Sequence, residues 1–290
     1  MQTENLTIKT KVLNSFRKVL RGPVQEKLLK SSFHGTSLYK KIVPPEYLYR
    51  RGSWRELNEG GVKYRLDISN VVDHYVYFGF ESYAYQKEID VIRKAKLILD
   101  IGANIGISFS WFARQNPDVR IIAFEPHPET GKRALEQIQR NHFKNVELLQ
   151  LALGSKEDEL QIFEVEEHNP GMNRISFEKL ERPSVKVPVK RLDDVMKEKN
   201  LPAPDFIKMD VEGFEYFVLE GATETLKTFP VLFIEVDDKF LTANGHSASL
   251  LIRLLEEKGY NHFRSADTEE LLTSASSLQH CHFDIIAKRV

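Results

Sequence analysis

Beyond residue 96 the apolar positions fall into short, nearly unbroken runs separated by longer stretches with helical spacing. The runs Leu97 to Ile101, Val119 to Phe124, Val146 to Leu151, Phe206 to Met209 and Val231 to Val236 are rich in Ile, Leu, Val and Phe. That is the pattern of strands covered on both faces. The intervening "NIGISFSWFARQN", "HPETGKRALEQIQRNHF" and "GFEYFVLEGATETLKTF", and "SASLLIRLLEEKG" after the last run, repeat apolar residues every three or four positions and predict helices. Strand and helix patterns in alternation predict βαβ units and a parallel sheet. Two further strands follow in "YNHFRSA" and "HFDIIAKRV", antiparallel because only a loop separates them.

The first part of the chain reads differently. Ile8, Val12, Leu13, Phe16, Val19 and Leu20 recur at helical spacing among Lys9, Lys11, Arg17 and Lys18, which predicts a basic amphipathic helix from Ile8 to about Lys30. Such a helix either packs on its own domain or lies on an anionic membrane. "WRELNEGGVKYRLDI" alternates around "NEGG" and predicts a hairpin from Trp54 to Ile68. Short helices near Asn70 to Phe78 and Tyr83 to Lys94 lead into the first parallel strand. The expected division is an N-terminal helical and hairpin extension over 1–69 and a main domain over 70–290. Glu166 to Pro183 is a polar, turn-rich insertion of the kind that forms lids or binding loops.

Composition narrows the class. With 290 residues, 41% hydrophobic and 29% charged, the chain is globular rather than disordered. Its net charge of −1 hides an asymmetry: residues 1–51 hold 11 Lys/Arg against 3 Asp/Glu. The single Cys281 forms no internal disulfide and has no zinc-ligand spacing around it, which suits a reducing cytoplasm. No run reaches the roughly 18 to 20 apolar residues that span a bilayer. The expectation is a cytoplasmic protein whose membrane contact, if it makes one, is peripheral, at the inner face and through the basic helix.

Candidate chemistry concentrates at strand ends. "LILDIGANIGISFSW" is a strand, a glycine turn and a helix start, the geometry that aims backbone N–H groups at a cofactor. Asn104 and Ile107 stand where a dinucleotide fingerprint needs its second and third glycines, and no Lys-Ser/Thr follows Gly106 for a P-loop. Asp100, Gly102, Asn104 and Gly106 suit a smaller, cationic cofactor that carries an amino acid, S-adenosyl-L-methionine. Glu125 in "IIAFEPHP", 23 residues after Gly102, is placed to accept from ribose hydroxyls. Ala152 and Leu153 in "LLQLALGS" would border the adenine. The fourth strand ends on Asp210 with Glu212 beyond it, and the fifth on "FIEVDD" with Glu235 and Asp237. These carboxylates border the crevice and are candidates for a general base, Asp210 first and Glu212 or Glu235 next; a divalent metal held by them is the lesser alternative. Glu215 reads as a first-turn acid on a surface helix. His127 and His168 are weaker base candidates, His127 being placed to brace the turn after the second strand.

"LDIGANIG", "FEPHP", "LALGS" and "IKMDVEGFE…LEGA", in this order and spacing, resemble the FkbM family of S-adenosylmethionine-dependent methyltransferases across roughly Tyr75 to Tyr260. The resemblance implies a class I methyltransferase fold of the α/β, Rossmann-like kind: a seven-stranded, mostly parallel sheet with helices on both faces and an antiparallel last strand. It implies methyl transfer to a hydroxyl of a sugar, glycan or secondary metabolite, cofactor binding by Asp100, Gly102, Asn104, Gly106 and Glu125, and Asp210 to Gly213 beside the methyl. Glu81 in "GFESYAY" matches an aromatic-Glu pair that touches the methionine moiety. Two rivals stand beside this reading: a non-catalytic cofactor-binding module of glycan assembly, and a methyltransferase for nitrogen, protein or nucleic-acid acceptors. A nucleic-acid enzyme of the amino-methylating kind would carry N/D-P-P-Y/F where this chain has "DVEG", so no nucleic-acid partner is expected.

Overall fold

The computed structural model describes residues 7–80, 83–163, 174–175, 183–273, 278 and 281–290. The chain divides into two compact units, the first built mainly on residues 1–59 and 63–82, the second on 60–62, 83–165 and 172–290.

In the first unit, α1 (Ile8–Val19), α2 (Pro23–Phe33) and α3 (Tyr39–Ile42) precede a hairpin of β1 (Trp54–Glu59) and β2 (Val62–Asp67), followed by α4 (Val71–Phe78). The single helix expected from Ile8 to Lys30 is two helices. Gly22 is extended because Pro23 has no N–H for the helical ladder and its ring disfavours helical geometry in the residue before it. Gly60 and Gly61 both take positive φ, as a two-residue hairpin turn requires. Helix α4, on the far side of the boundary expected after residue 69, belongs to this unit. Its buried His74 is hydrogen-bonded through Nε2 to the Pro44 carbonyl at 2.8 Å, and the Tyr39 hydroxyl donates to the Phe78 carbonyl at 3.1 Å.

The second unit runs α5 (Ile89–Lys94), β3 (Leu97–Ile101), α6 (Ile107–Gln115), β4 (Arg120–Phe124), α7 (Pro128–Asn141), β5 (Val146–Leu149), β6 (Ala152–Leu153), β7 (Asp158–Phe163), β8 (Arg174–Ile175) and β9 (Ser184–Lys190). It continues with α8 (Leu192–Glu198), β10 (Phe206–Met209), α9 (Glu215–Glu220), α10 (Thr223–Leu226), β11 (Val231–Asp237), α11 (Asp238–Ala243), α12 (Ala248–Glu257), β12 (His262–Ser265), β13 (Leu271–Leu272) and β14 (His282–Lys288). The main sheet has the order β13-β12-β14-β11-β10-β3-β4-β5. Its five strands from β5 to β11 are parallel, and β14 runs antiparallel to β11. Seven strands were expected; the eighth is the two-residue β13, which pairs with β12 at the sheet's edge.

Alternate residues of each central strand enter opposite cores. Leu97, Leu99, Ile101, Ile207 and Met209 pack on one face with α8, α9 and α12, while Ile98, Ile121, Ala123 and Phe206 pack on the other with α5 and α6. Both faces are therefore covered, and this explains the unbroken apolar runs. A second sheet, β6-β9-β7-β8, was not anticipated. The chain leaves β5 at Leu149, two residues earlier than the apolar run suggests, and Ala152 and Leu153 pair with Val189 and Lys190 instead. The insertion from Glu166 to Pro183 lies outside the described residues except for Arg174, Ile175 and Pro183. Among the described residues no helix is long and apolar enough to cross a membrane.

Candidate active site

The register of the parallel strands assembles the site. Ile101, Phe124, Met209 and Ile234 form one row across β4, β3, β10 and β11. The next residue of each strand is Glu125, Gly102, Asp210 or Glu235, so all four emerge at the same C-terminal edge. The chain order reverses between β3 and β10, which makes this edge the switch point where α/β sheets open a crevice.

The glycine turn is closed on itself. Gly102 has φ +79°, and a Cβ there would stand 1.8 Å from the Asp210 carbonyl oxygen; Gly106 has φ +91° and lies against the Phe109 ring. Gly102 and Ala103 donate their N–H groups to the Phe124 carbonyl, Asn104 to Glu125 Oε2 and Gly106 to the Ala103 carbonyl. The expected row of free amides is thus taken up inside the protein, because two strand ends approach so closely that the turn must bond to them. Asp100 is sealed beneath the turn, fully buried, with Oδ2 accepting from Ser108 Oγ at 2.5 Å and Oδ1 lacking a hydrogen-bond partner. Burial raises its pKa against the opposing pull of Lys208.

Glu125 ties two turns together. Its Oε2 accepts from the Asn104 N–H and its Oε1 from the His127 N–H, each at 2.9 Å. Burial pushes its pKa up to about 7 despite those two bonds. His127, just before α7, supplies one of those bonds through its backbone N–H, while its ring Nδ1 stands 3.4 Å from the Thr130 hydroxyl.

The acids of β10 and β11 surround one buried cation. Lys208 Nζ donates to Asp210 Oδ2 and to the Gly102 carbonyl, each at 3.0 Å, and stands 3.9 Å from Asp100 Oδ1. Burial works against the ammonium, but Asp210 and Asp100 outweigh it and hold the lysine above its usual range. Burial pushes Asp210 upward, and Lys208 together with a hydrogen bond from Glu235 reverses that, leaving it below the usual carboxylate range. Glu235 moves the other way, up to about 11, chiefly through the charge of Asp210 and then burial. The two carboxyls titrate as a pair, and the opposite directions of their shifts favour the proton on Glu235. Beyond β10, Glu215 Oε1 accepts from the N–H groups of Val211 and Gly213, each at 3.1 Å, and Asn244 donates to the Gly213 carbonyl. The first-turn acid expected on a surface helix is therefore a buried staple of the "DVEG" turn, because its partners are amides inside that turn.

A family model, the methyltransferase FkbM domain, matches residues 100–261, the span that carries every strand-end group just described. The chain belongs to the FkbM methyltransferase family. The 2-O-methyltransferase NoeI of Sinorhizobium fredii is 25% identical over 160 residues, covering 50% of this chain and 65% of that protein. The hexuronic acid methyltransferase AglP of Haloferax volcanii is 27% identical over 156 residues, 51% of this chain and 62% of that protein. The crystal structure of an FkbM methyltransferase from Methylobacillus flagellatus superposes with a TM-score of 0.45 at 15% identity, covering 96% of this chain and 58% of that one. The chain spans less than two thirds of the length of each of these relatives.

Within the FkbM domain, Asp100, Gly102, Asn104, Gly106, Glu125, Asp210, Glu212 and Glu235 converge on one sheet edge, whereas Ala152 and Leu153 are built into the second sheet with both side chains in the core. Glu81 and His168 lie outside the described residues. Asp210, Glu212 and Glu235 each offer a carboxylate oxygen, all within 4.8 Å of one another, a spacing a divalent cation could bridge. Three groups were missed. Lys208 is the cation at the centre. Asp284, opposite Glu235 in the β11–β14 register, is raised by burial to about 7. His282 lies 3.3 Å from Glu235 and 3.1 Å from Asp237. The one available signal was Lys208, a charge inside the apolar "FIKM".

Proposed function

We propose that the protein is an S-adenosylmethionine-dependent O-methyltransferase acting on a hydroxyl of a sugar, glycan or secondary metabolite. The observation that carries the reading is the charge of the strand-end cluster. With Glu235 holding a proton, Asp210 and Glu212 still outnumber Lys208 there, so the edge suits a cofactor with cationic ammonium and sulfonium groups and disfavours the pyrophosphate of a dinucleotide. Glu125 keeps a lone pair on each oxygen for a ribose diol while its two amide bonds fix its position. The names of the relatives, one for a 2-O position and one for a hexuronic acid, support a sugar hydroxyl as acceptor. The lone thiol Cys281 fits a cytoplasmic setting.

When bound, the cofactor supplies an electrophilic methyl group on a positively charged sulfur. Asp210, kept ionised by Lys208, receives the hydroxyl proton of the acceptor. Glu235 keeps its own proton and directs it at Asp210, which orients the base without competing for the role. Holding two reactants in line is worth roughly 7 to 11 kcal/mol, and a positioned base adds about 10² to 10⁴ in rate.

The test is transfer of labelled methyl from the cofactor to acceptors in a lysate and to a panel of glycans. Asp210→Asn should lower transfer by about 10² to 10⁴ while cofactor binding survives. Glu235→Gln, whose carboxamide still donates to Asp210, should stay within about tenfold of the parent. Full turnover by Asp210→Asn removes the base assignment, and cofactor binding without transfer to any acceptor returns the protein to the non-catalytic reading. EDTA should leave turnover unchanged because Lys208 already supplies the positive charge beside Asp210; a loss restored by Mg²⁺ would assign the three acids to a metal.

A further inference from the structure

Helix α1 is packed with its polar side inward. Asn14 is its one buried residue, donating from Nδ2 to the Tyr47 hydroxyl at 3.2 Å, and Arg17 donates to the Asn14 side chain at 3.1 Å and to the Lys41 carbonyl. Ile8, Val12, Phe16 and Val19 lie four, four and three residues apart, one stripe on a helix of 3.6 residues per turn, and are 57 to 82% exposed. The stripe therefore points away from the protein that α1 packs on. Val24 and Leu28 of α2 are exposed as well. Single exposed apolar residues need no explanation, but a full stripe of them does.

The charges beside the stripe identify its occupant. Lys9, Lys11 and Lys18 are exposed around it, and α1 contains no acidic residue. The sole acid of α2, Glu26, is fully buried in a two-pronged pair with Arg55 at 2.6 and 2.7 Å and so presents no negative charge outward. We propose that the α1 face docks on an anionic lipid surface, with the apolar stripe entering the boundary between headgroups and acyl chains and the lysines meeting the lipid phosphates. Two copies of the chain facing each other through this stripe would bring like charges together, which argues against self-association as its use.

The full-length protein is sedimented with vesicles of neutral phosphatidylcholine, with and without 30% phosphatidylglycerol. Binding should be at least tenfold tighter to the anionic vesicles and should weaken in 0.5 M salt. Lys9→Gln/Lys11→Gln/Lys18→Gln should remove at least tenfold of that affinity, and Val12→Ser/Phe16→Ser should remove it with all lysines present. These side chains are exposed, so thermal melts of the variants should match the parent. Equal binding to both vesicle types, or binding indifferent to both variants, overturns the proposal. So does a concentration-dependent dimer that Val12→Ser/Phe16→Ser abolishes in a protein that ignores vesicles, since the face would then join two copies.

Discussion

Glu215 shows how one carboxyl can set both a turn and a pH response. Oε1 takes two backbone amides, and Oε2 is buried without a partner. Burial raises its pKa to about 7, so between the ordinary glutamate value near 4.5 and 7 the folded chain binds more protons than the unfolded one. The stability this group contributes is fully present below about pH 4.5 and is lost as pH rises through 7. Glu215→Gln keeps an oxygen for both amides and cannot ionise. Urea unfolding should find the variant about 1 to 3 kcal/mol more stable than the parent at pH 8 and near parity at pH 5. Asp210 and Glu235 were legible as strand-end acids, but their division of labour was not. It depends on Lys208, a single charge in an apolar run whose partner Gly102 lies more than a hundred residues away in the chain.

At the scale of elements, the glycine turn and the end of β10 form one braced body. Gly102 and Gly245 both have positive φ, yet a Cβ at Gly102 meets the Asp210 carbonyl at 1.8 Å, whereas one at Gly245 meets nothing within 4 Å. Gly245→Ala should cost only the left-handed strain, about 1 to 2 kcal/mol. Gly102→Ala adds a clash with backbone that cannot swing away, and denaturant unfolding should show a loss above about 4 kcal/mol together with loss of cofactor binding. The five parallel strands could be read from periodicity because both their faces are apolar. The second sheet could not, although "SVKVPVK" alternates well. Its Pro188, which cannot donate to a ladder, is accommodated because β6 pairs β9 only at Val189 and Lys190.

At the scale of the whole molecule, ligand binding and pH should be linked through Glu125. A carboxyl accepts from a diol through both oxygens and most strongly when ionised, and burial pushes this one up to about 7. S-adenosylmethionine at about 100 times its Kd should raise the melting temperature by roughly 5 to 10 °C at pH 8. At pH 6, where about a tenth of Glu125 is ionised, the affinity should be about tenfold weaker and the shift correspondingly smaller. Differential scanning fluorimetry at the two pH values checks this, and an equal shift at both would remove Glu125 from the ribose. The excess of basic residues in the first 51 positions was plain in the sequence. Which face of α1 turns outward was not, because an amphipathic pattern is the same whichever side is packed, and the contacts of Asn14 with Tyr47 and of Arg17 with the Lys41 carbonyl decide it.

The carboxylates around Lys208 also bear on how a catalytic cycle would end. Methyl transfer turns a positively charged sulfur into a neutral thioether, so under the proposed function the acidic edge around Asp210 and Glu212 would attract the donor more strongly than the spent cofactor. Under that reading, the charge arrangement that would select the cation would also favour exchange of product for fresh donor.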